Sequence, residues 1–193
     1  MIDSQTLEWL LSEEGRAALK LTSHLQPDEA SRLATLQTLQ KQFNTDHSRA
    51  LLEMMLLRKR AITKFSKANE MFFDREALEM ASSEQVANYR ASQLLQFATV
   101  MDLGCGIGGD TIALARAGLN VRSIDKERLR CRMTQVNLHV NNQVAEVICA
   151  DFMTTEFGRS DVVFVDPSRR SGNHRSLDPE QYFPPLNAII AKY

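Results

Sequence analysis

The feature that most constrains the fold is the run Val100–Asp110, which reads VMDLGCGIGGD. A short apolar segment containing Asp102 meets a turn with four glycines, and a helical pattern follows from Thr111. Glycine permits a tight turn and lets a ligand approach the main chain, while the N-terminus of the following helix presents free N–H groups. The run therefore predicts a strand, turn and helix that together bind a nucleotide-like ligand.

Glycine spacing alone leaves two ligands open. Gly104, Gly106 and Gly109 match the dinucleotide pattern G-x-G-x-x-G, whereas Gly104, Gly106 and Gly108 match the G-x-G-x-G of methyltransferases. Asp102 favours S-adenosylmethionine, because a buried carboxylate needs a positive partner and this ligand carries an ammonium group. The pyrophosphate of NAD would be repelled there.

From Phe97 onward, strand-length apolar segments alternate with helical ones. The predicted helices are 109–117 and 127–140, and the predicted strands are 97–103, 120–124, 144–149 and 161–165. Alternation of this kind indicates a parallel sheet with right-handed crossovers, so the fold class is α/β with a Rossmann-like sheet. We predict two domains, a helical N-terminal region over 1–80 and a ligand-binding region over 81–193.

The N-terminal half has the leucine spacing of helices. Gly15 is expected to break or cap the first helix, and a second helix is expected from Pro27 to about Phe43. Asp46 is the expected N-cap of a third helix, and another helix is expected from about Glu84 to Leu95.

Composition excludes few functions. The net charge is −1, so no global basic field points to a nucleic acid, although a local patch would suffice. The three cysteines and four histidines lack metal-ligand spacing, so no metal is expected. No secretory signal or membrane-length apolar run is present, and the expected location is the cytoplasm.

Three further acids follow predicted strands. Asp125 lies 21 residues after Gly104, where a carboxylate can accept both ribose hydroxyls. Asp151 can accept from the adenine amine, with Phe152 as an apolar wall. Ligands of open α/β sheets bind at the carboxyl ends of the strands, which is where all these residues fall.

Asp166 and Pro167 follow the fourth predicted strand. A carboxylate with rigid proline backbone behind it can hold an amine so that its lone pair points at a methyl group. The next two arginines, Arg169 and Arg170, could clamp a phosphate or stack on a base.

A basic run with interspersed phenylalanines raises the question of RNA contact in the helical half. Such runs are more often solvated helix faces. The run comprises Arg58, Lys59, Arg60, Lys64 and Lys67, near Phe65, Phe72 and Phe73.

Together these motifs resemble the class I S-adenosylmethionine-dependent methyltransferases of the trimethylguanosine-synthase-like group. The similarity is greatest to the bacterial branch, whose members carry a THUMP-like region after the catalytic domain. It covers residues 71 to about 193, and for the bacterial branch it is expected to extend over the helical N-terminus too. The matching segments are 72–73, 83–90, 102–111, 123–125, 150–152 and 161–167.

The resemblance implies a role for each matching residue. Asp102, Gly104 and Gly106 would hold the methionine end of the cofactor, Asp125 the ribose, and Asp151 with Phe152 the adenine. The helix opened by Ser83 would close the site, and Asp166 with Pro167 would present the acceptor nitrogen. Eukaryotic cap-modifying members have Pro-Pro-Trp where this chain has Pro167-Ser168-Arg169, so cap guanosine is not the expected substrate.

The expected activity is methylation of a base nitrogen in RNA. Two alternatives stay open: an NAD-dependent oxidoreductase, and a non-catalytic RNA-binding protein with the same fold. Sheets of this class have about seven strands. Because four are visible here, we expect the chain to be part of a longer protein. An open edge at the fourth strand would then favour self-association.

Overall fold

The computed structural model describes residues 2–167, 170–171, 174–175 and 178–193, with only the backbone described at 170–171 and 174–175. The chain divides into two compact units, Met1–Gln85 and Val86–Tyr193. The predicted division after residue 80 lies slightly earlier than this one.

The first unit is helical, as expected. Its longest helix, α4, packs against α1, α3 and α5, and its buried leucines and Met54 form the centre of the unit. The helices are α1 (Ser4–Leu11), α2 (Glu13–Thr22), α3 (Arg32–Leu39), α4 (Thr45–Ala61) and α5 (Arg75–Met80).

Gly15 lies inside α2, so the expectation that it breaks or caps a helix is wrong. A Cβ atom at this position would lie 2.0 Å from the carbonyl oxygen of Trp9. The break falls at Ser12, whose side chain accepts a hydrogen bond from the Gly15 N–H and caps α2. Gly15 is therefore required by the close approach of two backbones.

Two other helix starts differ from expectation. The second helix begins at Arg32 rather than Pro27, because the Asp28 carboxylate accepts the N–H of Ser31 at 2.7 Å and holds a turn there. The N-cap of α4 is Asn44, not Asp46, and its side chain accepts the N–H of His47 at 2.8 Å.

The basic run is partly used to hold the helical unit together. Arg58 is half-buried, with its guanidinium 5.0 Å from the centroid of the Phe72 ring, and it donates to the carbonyl oxygens of Met71 and Glu70. Lys64 donates to three carbonyl oxygens at the end of α5. These two side chains thus have internal partners, which weakens the case for an RNA-binding face there.

The second unit is built on a four-stranded sheet in which every neighbouring pair is parallel, with strand order β3-β2-β1-β4. The strands are β1 (Thr99–Leu103), β2 (Asn120–Asp125), β3 (Glu146–Cys149) and β4 (Val162–Val165). The helices are α6 (Glu84–Ser92), α7 (Gly109–Arg116), α8 (Arg128–Val140) and α9 (Leu186–Lys192). This confirms the predicted α/β sheet.

Apolar side chains cover both faces of the sheet. Val100 and Val121 pack with alanines and leucines of α6 and α7 on one face. Met101, Leu103 and Ile124 pack with Ile189 of α9 on the other. With both faces occupied, the carboxyl ends of the strands are left to form the site.

Among the described residues, no strand pairs with the outer edge of β4. Self-association through this edge stays a prediction. A separate two-stranded hairpin, β5 (Arg170–Ser171) and β6 (His174–Arg175), follows. None of the described helices has the length and apolar character needed to cross a membrane.

Candidate active site

Asp102 is buried one residue before the carboxyl end of β1, with an exposure of 2%. Its Oδ2 accepts a hydrogen bond of 2.5 Å from Thr111 Oγ1, and Ser123 Oγ in turn lies 3.0 Å from Thr111 Oγ1. Burial raises the pKa of Asp102 to about 7, although the bond from Thr111 opposes this shift. The buried carboxylate expected from the sequence is therefore present, and it forms no ion pair within the described residues.

Asp125 joins the glycine turn to the end of β2. Its Oδ2 accepts the N–H of Gly106 and its Oδ1 accepts the N–H of Glu127, both at 2.9 Å. Each oxygen has a further lone pair with which it could accept a hydroxyl group. The side chain thus fixes the turn and remains chemically able to bind a ribose.

The three glycines of the G-x-G-x-G pattern all have positive φ angles, between +58° and +84°. A Cβ atom at Gly106 would meet nothing within 4 Å, and one at Gly104 would meet only Phe152, at 3.8 Å. At Gly108 it would lie 2.8 Å from Thr134 Cγ2. Gly104 and Gly106 therefore leave backbone open, whereas Gly108 is required by the packing of α8.

Arg90 links two carboxylates that the sequence keeps far apart. Its Nη1 donates to Asp110 Oδ1 at 3.1 Å, and its Nη2 donates to Asp166 Oδ2 at 3.1 Å. The guanidinium lies over the ring of Phe164, 5.8 Å from its centroid. This arrangement connects α6 with the start of α7 and the end of β4.

The site is rich in negative charge. Asp110, Asp125 and Asp166 each raise the pKa of Asp102 further by repulsion. Burial also raises the pKa of Asp110, although Arg90 opposes that shift. Burial disfavours charge on Arg90, but the two carboxylates outweigh it and raise the pKa of the guanidinium. Such a group of acids favours a ligand with positive charge.

Asp151 and Phe152 follow β3, as expected, but Asp151 is not part of this acidic group. Its Oδ1 accepts the N–H of Met153 at 2.8 Å, which shapes the turn after the strand. Phe152 packs into the apolar layer with Met101 and Leu103, and its ring approaches Gly104. Phe152 is thus placed to form a wall beside the glycine turn.

The binding role of every predicted site residue stays a prediction. Four of these residues do not belong to the arrangement of acids and glycines. Ser83 belongs to the first unit, and its role stays a prediction. Arg169 lies outside the described residues, and of Arg170 only the backbone is described. Pro167 follows Asp166 directly, but nothing in the structure tests its role.

Sequence reasoning missed several residues that shape the site. Arg90 was noticed only as the end of a matching segment, and Asp110 only as the end of the glycine run. Thr134 and Asn137 of α8 are buried and hydrogen-bond to the glycine turn. Their spacing of three residues, which places two polar side chains on one face of a helix, is the one available signal in the sequence. In the part of the chain described, no cluster of acidic, histidine or cysteine side chains is suited to a metal ion.

Two family models match separate parts of the chain. Residues 97–171 match a family described as RNA cap guanine-N2 methyltransferase. Residues 3–61 match a domain of unknown function (DUF8688). The methyltransferase match covers β1 to β4 and hence the whole glycine turn.

Similar proteins carry methyltransferase names. An uncharacterized S-adenosylmethionine-dependent methyltransferase of Mycobacterium tuberculosis is 30% identical over 154 residues, which are 77% of this chain and 42% of that protein. A tRNA (uracil(54)-C(5))-methyltransferase of Pyrococcus abyssi is 32% identical over 88 residues, 46% of this chain and 22% of the relative. The chain thus spans less than half the length of either relative.

A solved structure shares the fold over most of the chain. It is a candidate methyltransferase from Porphyromonas gingivalis, with a TM-score of 0.62 and 18% identity. The match covers 86% of this chain and 47% of the other.

Proposed function

We propose that the chain is a class I S-adenosylmethionine-dependent methyltransferase that transfers a methyl group from S-adenosylmethionine to a base nitrogen of RNA, a proposal supported by its similarity to proteins named as methyltransferases. The trimethylguanosine-synthase-like group is the proposed subfamily. The observation that carries the proposal is the meeting of Asp102, Asp125 and Asp166 at the strand ends, with Arg90 holding Asp166.

The residues present fit this cofactor. When bound, S-adenosylmethionine supplies a sulfonium methyl group that is open to in-line displacement. Asp102 would face the ammonium, the open backbone of Gly104 and Gly106 would contact the methionine end, and Asp125 would accept from the ribose. Asp151 and Phe152 would hold the adenine, Gly108 would keep the turn in place, and Ser83 would close the site.

NAD fits the same acids poorly. Its pyrophosphate carries negative charge, and the acidic group around Asp102 would repel it. A cationic ligand instead lowers the free energy of ionising Asp102. The charge of the site, rather than its glycine spacing, thus favours S-adenosylmethionine.

The acceptor would meet Asp166. Arg90 occupies Oδ2 of this half-exposed carboxylate, and Oδ1 has no donor among the described residues. Oδ1 can therefore accept an N–H of the incoming base and leave the nitrogen lone pair directed at the methyl group. Pro167 would stiffen the backbone behind it, and Arg169 with Arg170 would bind RNA phosphates.

The proposed acceptor is a guanine or other base amine. The family model is described by methylation of guanine N2, and the Pyrococcus relative is named for methylation of a tRNA base. A base inside a helix must leave the stack before its amine can reach such a site, so single-stranded or loop positions are favoured.

The test is methyl transfer from tritiated S-adenosylmethionine to total RNA of cells in which the gene has been deleted. Mass spectrometry of the nucleosides then identifies the modified base. We expect methylated base nitrogen with the natural chain and at least tenfold less with Asp166→Asn, which keeps the side-chain shape. RNA binding without methyl transfer and without cofactor affinity would instead support a non-catalytic RNA-binding protein.

A further inference from the structure

The glycine turn is held by side chains of α8 as well as by its own backbone. Thr134 Oγ1 donates a hydrogen bond of 2.8 Å to the carbonyl oxygen of Gly106, and Asn137 Nδ2 donates one of 3.0 Å to that of Ile107. Both side chains have an exposure of 0%. Two consecutive carbonyl groups of the turn are thus directed at one helix.

This has a consequence for the N–H groups of the same peptide bonds. In a trans peptide the N–H points opposite to the C=O, so the N–H groups of Ile107 and Gly108 point away from α8. The Gly108 N–H donates to the Cys105 carbonyl oxygen at 2.9 Å within the turn. The Ile107 N–H has no acceptor among the described residues, and Ile107 as a whole is only 1% exposed. It is therefore a buried donor that a ligand seated at the turn could satisfy.

Thr134 also sets the distance between the turn and the helix. Its Cγ2 atom occupies the space into which a side chain at Gly108 would project. Its hydroxyl fixes the orientation of the Gly106–Ile107 peptide, while its methyl group fills the contact. The two effects can be separated by substitution.

We infer that Thr134 and Asn137 are positioning residues for the S-adenosyl ligand. They act through the Gly106 and Ile107 carbonyl groups and hold the Ile107 N–H towards the ligand's carboxylate, without touching the ligand themselves. The inference rests on the proposed function, because it requires an S-adenosyl compound in this site. By this inference α8 contributes to binding of the S-adenosyl ligand, because it orients the peptide bonds of the glycine turn. The acids at the strand ends do not account for that orientation.

Calorimetric titration with S-adenosylhomocysteine tests the role of the hydroxyl. Thr134→Val keeps the shape and removes the donor, so we expect its Kd to rise about tenfold, the loss of roughly one hydrogen bond. Thr134→Ser keeps the donor and loses the methyl group, so its Kd should stay within about threefold of the natural value. If only the packing of the methyl group mattered, Thr134→Ser would bind S-adenosylhomocysteine more weakly than Thr134→Val.

Asn141 provides a matched control for Asn137. It is the C-cap residue of the same helix, one turn beyond Asn137, and is also buried. Its Nδ2 donates to the Asn137 carbonyl oxygen at 2.8 Å, away from the glycine turn. Asn137→Leu and Asn141→Leu should both lower the thermal midpoint. Only Asn137→Leu should weaken S-adenosylhomocysteine binding when both are measured well below that midpoint.

The possible outcomes separate the inference from the function on which it rests. If the natural chain binds and Thr134→Val binds as tightly as Thr134→Ser, the positioning role is wrong while the proposed function stands. Equal affinity loss in Asn137→Leu and Asn141→Leu would likewise overturn it. If the natural chain itself does not bind S-adenosylhomocysteine, the proposed function fails and the positioning role fails with it.

Discussion

Asp102 is the residue whose chemistry depends most on its surroundings. Burial raises its folded-state pKa to about 7, above the ordinary value of 3.8. Between about pH 4 and pH 7 the folded chain therefore binds more protons at this residue than the unfolded chain does. The contribution of Asp102 to the free energy of unfolding consequently falls as the pH rises through that window. Above pH 7 the buried charge lowers stability in full, by something on the order of 4 kcal/mol.

Asp102→Asn should therefore stabilise the protein in alkaline solution. The amide cannot ionise, yet its oxygen can still accept the hydroxyl of Thr111. We expect a higher free energy of unfolding than in the natural chain at pH 8, and a difference that shrinks towards pH 5, in urea denaturation followed by circular dichroism. Equal stability of both proteins at pH 8 would show that Asp102 carries no such penalty.

Arg90 offers a second test at the scale of single residues. Arg90→Met keeps an apolar stem over Phe164 but leaves Asp110 and Asp166 without their cation. We expect methyl transfer to RNA to fall at least tenfold in kcat, with S-adenosylhomocysteine affinity changed less than about threefold.

Arg90→Lys is the matched variant, since it keeps the charge and loses the two-pronged geometry. The kcat of Arg90→Lys should be lower than that of the natural chain and higher than that of Arg90→Met. An unchanged kcat in Arg90→Met would mean that Asp166 does not depend on this ion pair.

At the scale of elements, the sequence predicted the second unit well. All four strands and the helices α7 and α8 lie within two or three residues of their expected bounds. Glycine turns and acids bound the apolar segments of these strands and helices. The pattern in the sequence therefore agrees with the burial of these elements in the folded unit. The acids at the strand ends were predicted for the same reason, because parallel strands bring their carboxyl ends to one edge.

The errors have a shared physical cause. Gly15 serves a backbone contact with Trp9, and Arg90 pairs with Asp166 across 76 positions of the chain. Neither contact has a local sequence signal. Likewise, Thr134 and Asn137 look like ordinary polar helix residues until α8 is placed against the turn. These features follow from tertiary packing, which the spacing of residues in the sequence does not predict.

The contact between α4 and the segment after it gives a prediction about elements. Arg58 is half-buried, and desolvation lowers its pKa to about 10, so it stays charged at neutral pH. Arg58→Leu leaves the carbonyl oxygens of Met71 and Glu70 without their donor, and we expect a loss of about 2–3 kcal/mol in urea denaturation.

Arg49 on the same helix is exposed, so Arg49→Leu serves as the control and should change stability by less than about 0.5 kcal/mol. Equal effects of the two substitutions would indicate that Arg58 is only a solvated charge of the basic run.

For the whole molecule, charge and fold give a consistent account. The net charge is only −1, yet three carboxyl groups at the strand ends lie near that of Asp110 at the start of α7, and one guanidinium pairs with two of these four groups. A parallel sheet with both faces covered directs any ligand to this edge. The acids at this edge therefore favour S-adenosylmethionine as the methyl donor.

The most direct test of the central claim is calorimetric titration of the chain at pH 8 with S-adenosylhomocysteine and, separately, with NAD. The acidic strand ends predict one-to-one binding of S-adenosylhomocysteine with a micromolar Kd and at least a hundredfold weaker binding of NAD, roughly the loss expected from repulsion of a pyrophosphate. Tighter binding of NAD than of S-adenosylhomocysteine would contradict the account.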